Sequence, residues 1–225
     1  MTEKYYKVLN ANGTCFHGGK SSWPLPEGKL PGKWMPEIKG ELSPCAKGYH
    51  VLKPEMLVQW LGPAIFEVEI AGDVIWQPDK GVCSQARLVR RMENWNDQTA
   101  RLFACDCADA VRHLMKDKRS TDAVDVARRF AFGLATKEEL AAAWDAAWAA
   151  ERDVAWDAAW DAARDAAWAA AKAAAWDAAR DAAMAAAWDA ARDAAWAAAK
   201  AAQTKRLFQY LNGEVDLEAM KEGLK

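Results

Sequence analysis

The sequence predicts an α+β fold in which a small mixed sheet with helices precedes a long Ala/Trp-rich helical repeat region. The first half alternates short β-prone runs with Gly/Pro turns, most clearly at 64–71, where apolar and acidic residues alternate. From residue 144 to residue 200 every fourth residue is large or cationic, and most of the others are alanine or aspartate. No glycine or proline interrupts this stretch, and alanine is the strongest helix former. We therefore expect an α+β domain at 1–118, a connecting helix at 119–136, the repeat region at 137–211 and a C-terminal tail at 212–225.

Short strands and turns are expected at the start of the chain. Residues 5–9 are β-prone and an Asn-Gly turn follows them, so 5–17 is predicted to form a hairpin. Five of the eight prolines fall within 21–44, which predicts an irregular loop. A further strand is expected at 47–52, and a short helix at 54–61 because proline stands at its first position.

The clearest strand is 64–71. Its alternation places Glu67 and Glu69 on a solvent face together with Ile65, and leaves Phe66, Val68 and Ile70 for the core face. Residues 82–92 are expected to pair with this strand, carrying Arg87, Arg90 and Arg91 at polar positions.

Helical spacing begins after Asn94, which is expected to cap a helix that reaches about residue 114. A second helix is predicted over 120–132, where Gly133 ends it. Thr136 and Glu139 then form a capping-box pattern at the start of the repeat region.

The repeat period of four has a geometric consequence. Because an α-helix has 3.6 residues per turn, each repeat advances about 40° around the axis, so the large residues wind around a straight helix. Either partner helices follow this stripe as a coiled coil around a rod of roughly 110 Å, or the region folds back as a bundle. Tryptophans left in water would favour aggregation, so we expect self-association through the tail. The expected assembly residues are Trp144, Trp148, Trp156, Trp160, Trp168, Trp176, Trp188 and Trp196.

The bulk composition excludes several classes of protein. A net charge of -2 does not indicate a nucleic-acid surface. No signal-like start and no uncharged run of about 18 apolar residues is present, so we expect a cytoplasmic protein without a membrane partner. Five cysteines form no dense disulfide pattern, which predicts free thiols in a reducing compartment. No cofactor is expected.

Few residues suggest a catalytic, ligand-binding or metal-binding role. Cys105 and Cys107, with His113 nearby, resemble metal ligands, but residues two apart in a helix face different directions, so no metal site is expected. His17 and His50 stand at strand ends, and Glu67 and Glu69 on a polar sheet face, where acid/base or ligand-contact roles are compatible with their chemistry.

Five motifs carry a resemblance to a known family. They are CFHGG at 15–19, PGKW at 31–34, CAKGYH at 45–50, FEVEIAG at 66–72 and ARLVRR at 86–91. Residues 5–115 thereby resemble an uncharacterised domain family that is common in bacteriophage and prophage genomes. The resemblance implies a phage-associated origin and, if phage-encoded, a location in the host cytoplasm.

A second resemblance concerns the order of elements. FHG at 16–18, Gly48-Tyr49 before a helix, and the strand at 65–72 look like ADP-ribosyltransferases of the poly-ADP-ribose polymerase type. That resemblance implies that His17 holds the nicotinamide ribose and Tyr49 stacks on the nicotinamide. The family's catalytic glutamate lies on a later strand, whereas this chain is predicted to be helical after Met92.

The sequence favours a noncatalytic phage-associated accessory protein that forms homo-oligomers through its tail and binds a host protein or small ligand through the α+β domain. The alternative is a nucleotide-acting enzyme, or nucleotide-binding protein, of ADP-ribosyltransferase-like type. The expected ligand contacts are His17, Tyr49, His50 and Arg87, and the catalytic candidates are His17, Tyr49, Glu67 and Glu69.

Overall fold

A computed structural model of the chain describes residues 3–115, 117–153 and 193–224. The fold is α+β, with a strand-rich unit at Met1–Trp95 and a helical unit at Asn96–Lys225. The division falls before the boundary expected near residue 118. The helix expected to close the first domain instead shares a hydrophobic core with the helices that follow it.

The first unit is built on a four-stranded sheet in the order β1-β3-β4-β2. The strands are β1 (Tyr5–Leu9), β2 (Tyr49–Val51), β3 (Ala64–Trp76) and β4 (Gly81–Arg91), and a short 3-10 helix spans Pro54–Gln59. All strand pairs of this sheet are antiparallel, so the expectation of a mixed sheet was wrong in this respect. Since β3 pairs with β4 through a tight turn, the longest two strands are neighbours in both sequence and space.

The alternation of apolar and acidic residues along β3 largely explains which of its side chains are buried. Phe66 and Val68 lie in a core cluster with Leu9, Val51 and Leu88, as the sequence predicted. Ile65 is also fully buried, although it was expected on the solvent face with the glutamates. Two successive buried residues at this end of β3 mean that both faces of the sheet are covered there.

The predicted N-terminal hairpin is a tight turn with little strand pairing. The Asn10 backbone N–H donates to Thr14 O at 2.9 Å, and Gly13 adopts a φ of 83°. Beyond the turn, Leu9 pairs with Cys15 only through an isolated bridge. The long partner of β1 is therefore β3 rather than the returning arm of the hairpin.

The proline-rich segment at 21–44 is irregular, as predicted, and it covers a sheet edge. Because β2 pairs only with the start of β4, the rest of the outer edge of β4 has no strand partner. Backbone N–H groups of Gly32, Met35 and Ile38 donate to carbonyl oxygens of β4 at 2.8 to 2.9 Å. The loop thus satisfies the edge groups that a longer β2 would have paired.

The helical unit contains α1 (Asp97–Ala110), α2 (Lys118–Ala131), α3 (Lys137–Asp153), α4 (Asp193–Leu211) and α5 (Leu217–Glu222). Asn96 caps α1 by accepting hydrogen bonds from the backbone N–H groups of Gln98 and Thr99, so the expectation of Asn94 as the cap was wrong. The capping box at the start of α3 is confirmed. Thr136 Oγ1 accepts from Glu139 N at 3.1 Å, and Glu139 Oε2 accepts from Thr136 N at 2.7 Å.

An ionic cluster joins three helices of this unit. Asp106 of α1 accepts from Arg128 of α2 at 2.8 Å, from Arg206 of α4 at 2.7 Å and from the Tyr210 hydroxyl at 2.7 Å. Next to it, Leu140 of α3 shares a buried cluster with residues of α1 and α2. The described parts of the repeat region therefore pack on the α1–α2 pair, α3 mainly against α2 and α4 against α1.

In the ranges that the structure describes, we find no helix with the length and apolar character needed to cross a membrane.

Candidate ligand-binding site

A cavity of about 290 Å³ opens in the strand-rich unit beside β1 and β2. Its polar lining is cationic, because Lys7, His17, His50 and Lys80 all contribute to it. The remaining wall comes from Val8, Cys15, Phe16, Gly18, Gly19, Cys45, Leu52 and Trp60. None of the described residues that line the cavity carries a carboxylate.

Lys7 is the most unusual residue of the lining. It shares a face of β1 with Tyr5 and Leu9, which pack in or against the hydrophobic core. Its ammonium lies 5.2 Å from the centroid of the Trp23 ring, and the residue is partly buried and lines the cavity. Burial lowers the pKa of this amine, and the neighbouring thiols of Cys15 and Cys83 only partly oppose that effect.

His50 is held in its neutral form. Its Nε2 accepts a hydrogen bond from the Cys45 backbone N–H at 3.2 Å, which leaves the proton of the neutral ring on Nδ1. Burial lowers the pKa of His50, and the positive charges of Lys7 and Lys80 lower it further, against an opposing effect of Asp79. Cys45 adopts a left-handed φ of 65°, which is rare for a non-glycine residue.

His17 is tethered at the other side of the cavity. Its Nε2 lies 2.8 Å from the carbonyl oxygen of Trp60, so that nitrogen carries the proton and donates. The imidazole also makes edge-to-face contacts with Phe16 and Trp60. Gly18 and Gly19 follow with φ values of 88°, which lets the backbone turn immediately after this histidine.

Lys80 contributes the second ammonium. It lies 3.4 Å from the Asp79 carboxylate and 5.2 Å from the centroid of the Trp60 ring. Burial would lower the pKa of Lys80, but Asp79 and the Cys45 side chain outweigh it and raise that pKa. Lys80 therefore stays charged, whereas burial disfavours the charged form of Lys7.

Of the six residues that the sequence suggested, only His17 and His50 line this cavity. The Tyr49 hydroxyl donates to the Pro36 carbonyl at 2.7 Å, and its ring contacts Trp23. Arg87 forms an ion pair with Glu69 at 2.6 Å, and Glu67 pairs with Arg90 at 2.9 Å. These pairs are cross-strand contacts between β3 and β4.

Sequence reasoning missed Lys7, Lys80 and Trp60. For Lys7 a signal existed, because a lysine between Tyr6 and Val8 interrupts an otherwise apolar strand. Lys80 lies in the β3–β4 turn, where a lysine is ordinary, so nothing local distinguishes it.

The donor set of the cavity suits an anion better than a metal ion. Cys15, His17, Cys45 and His50 all line it, yet the described residues contain no group of three or more His, Cys, Asp or Glu side chains placed to hold a metal. The ammonium groups of Lys7 and Lys80 would also repel a cation. Away from the cavity, Cys105 and Cys107 are buried in the helical unit, where burial raises the pKa of both thiols.

The chain matches no family model, no curated protein and no solved structure.

Proposed function

We propose that this protein is a noncatalytic, phage-associated binding protein whose strand-rich unit takes a small ligand and whose helical tail drives self-association. The observation that carries the ligand-binding half is the cavity with four cationic or titratable nitrogen groups and no carboxylate in its described lining. Binding pockets commonly combine an apolar wall with a few such convergent polar groups. Multivalent display on a shared tail would raise avidity without new contacts.

Binding without turnover is favoured by the state of the two histidines. Each ring has its Nε2 engaged with a backbone group, at Cys45 N for His50 and at Trp60 O for His17. Such tethering fixes the orientation of both rings at the cavity and, for His50, leaves Nδ1 as the nitrogen that carries the proton.

The test is a thermal-shift screen of the full-length protein against nucleotides, sugar phosphates, carboxylates and neutral sugars, followed by chromatography of each stabilising compound after prolonged incubation. We expect at least one compound to raise Tm and to be recovered unchanged. The shift should disappear in Lys80→Met and persist in Lys29→Met, whose lysine is exposed and away from the cavity lining. A screen without any stabilising compound, or consumption of the compound that stabilises, would overturn the proposal.

The alternative is a nucleotide-acting protein of ADP-ribosyltransferase-like type, and the position of His17 in the cavity supports it. Tyr49, the expected nicotinamide partner, contacts Pro36 and Trp23 instead of lining the cavity. Glu67 and Glu69 are engaged with arginines. Consumption of NAD by the wild type but not by His17→Ala would favour this alternative over the binding protein.

For the tail we propose a folded-back bundle rather than a single rod. Leu140 of α3 packs with α1 and α2, and Arg206 and Tyr210 of α4 bond to Asp106 of α1. In one straight helix, Leu140 and Arg206 would be separated by about 100 Å, which is much longer than α1. Packing of α3 and α4 on the α1–α2 pair brings both described ends of the repeat region into one helical unit, which supports the bundle.

Self-association through the tail is supported at one exposed aromatic pair. Trp148 is 47% exposed and stacks on Trp144, with ring centroids 6.1 Å apart. Trp144 itself packs against the core of α1 and α2. The other expected assembly residues lie outside the described part of the chain, as does the side chain of Trp196; they are Trp156, Trp160, Trp168, Trp176 and Trp188.

The mass of the full-length protein, measured by light scattering, tests the proposed self-association through the tail. We expect a multiple of 24.8 kDa for the wild type and a lower mass at equal concentration for Trp148→Gln. Leu30→Gln, which changes a 70% exposed apolar residue of the other unit, should leave the mass unchanged. A monomeric wild type contradicts assembly through the tail.

A further inference from the structure

Resting on the proposed ligand cavity, we infer that its ligand is a doubly charged oxyanion of the phosphate class, bound through Lys7 and Lys80, with proton uptake on binding. Inorganic phosphate and a small phosphomonoester share this chemistry, and the cavity lining contains the groups that would recognise either.

Lys7 carries the first step of the argument. A desolvated ammonium is costly unless an opposite charge or hydrogen-bond acceptors compensate it. Among the described residues Lys7 has no ion-pair or side-chain hydrogen-bond partner, and its close contacts are the Trp23 ring and the thiols of Cys15 and Cys83. Its ammonium lines the cavity, so an anion placed there would supply the missing charge.

Lys80 and the histidines determine how much negative charge the cavity can hold. Lys80 is already neutralised in part by Asp79, which lies outside the lining. A monoanion would compensate Lys7 alone. A dianion would in addition favour the charged form of His50, whose protonation is opposed by burial and by the two lysines. The lining therefore matches a phosphate group better than a carboxylate.

The size of the cavity limits the rest of the ligand. A volume of about 290 Å³ is near the lower end of the range for ligand pockets. Its wall beside the cations is apolar and aromatic, through Val8, Phe16, Leu52 and Trp60. A phosphate group with a small substituent fits this space.

Proton uptake follows from the groups that face the titratable residues. Lys7 faces the thiols of Cys15 and Cys83, while His50 faces Lys7, Lys80, Asp79 and the Cys45 backbone N–H. A bound dianion adds negative charge to both surroundings, so it raises the pKa values of Lys7 and His50 together. For a ligand that is already a dianion in solution, binding consequently takes up protons, and affinity weakens as pH rises.

Titration calorimetry of the full-length protein tests the inference with inorganic phosphate, AMP, adenosine and acetate, at pH 7.5 in two buffers of different ionisation enthalpy. We expect saturable binding of phosphate or AMP, at least tenfold weaker binding of adenosine and acetate, and a buffer dependence that corresponds to proton uptake. Lys7→Met should weaken the binding at least tenfold, and Lys29→Met should leave it unchanged. Lys80→Gln is the second variant if Lys7→Met does not fold, and it should also weaken binding at least tenfold.

The outcomes separate this inference from the proposed function. Tight binding of a neutral compound without binding of phosphate or AMP would overturn the inference and leave the ligand-binding proposal in place. Failure of every compound in the thermal-shift screen would overturn both. Binding of phosphate or AMP that Lys7→Met does not weaken, or binding of AMP without proton uptake, would overturn the inference alone, because AMP is already a dianion at pH 7.5.

Discussion

At the scale of single residues, the two units bury positive charge in opposite ways. Arg128 is 12% exposed and is paired with both Asp106 and Asp109, at 2.8 and 2.6 Å. Lys7 is partly buried, has no carboxylate partner among the described residues, and lines a cavity. A paired buried charge supports the fold, whereas an unpaired charge at a cavity is typical of a site that awaits a ligand.

The paired charge gives a prediction about stability. Asp106→Ala removes the acceptor of Arg128, Arg206 and Tyr210, and leaves a largely buried guanidinium with a weaker set of partners. We expect a loss of about 3 kcal/mol in the free energy of unfolding, measured by urea denaturation. The control is Asp122→Ala, which breaks an exposed pair with Lys118 and should cost less than about 0.5 kcal/mol. Equal losses in the two variants would contradict a structural role for the cluster.

The neutral His50 gives a prediction about pH. Its pKa in the folded chain lies below the usual value of 6.5, so below pH 6.5 the unfolded chain binds a proton that the folded chain does not. The stability from neutral His50 is thus fully present above pH 6.5 and is lost as pH falls towards its folded pKa. Urea unfolding of the ligand-free protein from pH 5 to 8 should show this decline, and His50→Gln should flatten it. His113→Gln, at an exposed histidine, should follow the wild-type curve.

At the scale of elements, the start of α1 can be tested directly. Asn96 Oδ1 accepts from the backbone N–H groups of Gln98 and Thr99, at 3.0 and 3.2 Å. Asn96→Ala should therefore lower the free energy of unfolding by about 1 kcal/mol. Asn94→Ala changes the same residue type two positions earlier, outside the cap, and should cost less. Denaturant curves for the two variants with the reverse order of stability would place the cap at Asn94.

Short sequence patterns predicted strands and helix starts well where they are made of distinctive residues at fixed spacing. Alternation in β3 and the arginines of β4 predicted the pairing that the ion pairs Glu67–Arg90 and Glu69–Arg87 now explain. Thr136 and Glu139 marked the start of α3. The cap of α1 was misplaced because two asparagines precede that helix, and local sequence did not distinguish them.

The site was only half predictable because it is assembled from distant segments. His17 and His50 stood out as rare residues at strand ends, but their meeting depends on the placement of the loop at 15–19 beside β2. Lys80 enters the cavity from a turn 73 residues after Lys7, and only the sheet order brings the two together. Arg87 was a reasonable candidate by residue type, yet the register of β3 against β4 places it opposite Glu69.

At the scale of the whole molecule, the period-four pattern predicted helices but did not determine how they pack. The bonds of Arg206 and Tyr210 to Asp106 join residues about 100 apart in sequence, and Leu140 shares a core cluster with residues of α1 and α2. Such long-range contacts depend on burial and ionic pairing, which a short sequence period does not encode. Trp148 is exposed on this unit, and the proposed contact between copies is assigned to it.

A distance measurement between the two ends of the tail tests this arrangement. Spin labels attached to cysteines replacing Glu138 and Lys205, both exposed, report the separation of α3 and α4. Cys15 and Cys45 are changed to serine, while the three buried thiols are retained. Because α3 packs on α2, α4 packs on α1, and α1 and α2 pack on each other, we expect a separation under about 40 Å, whereas a continuous helix would give roughly 100 Å. Dilution with unlabelled protein restricts the signal to one chain, and a long distance that survives dilution would establish the rod instead.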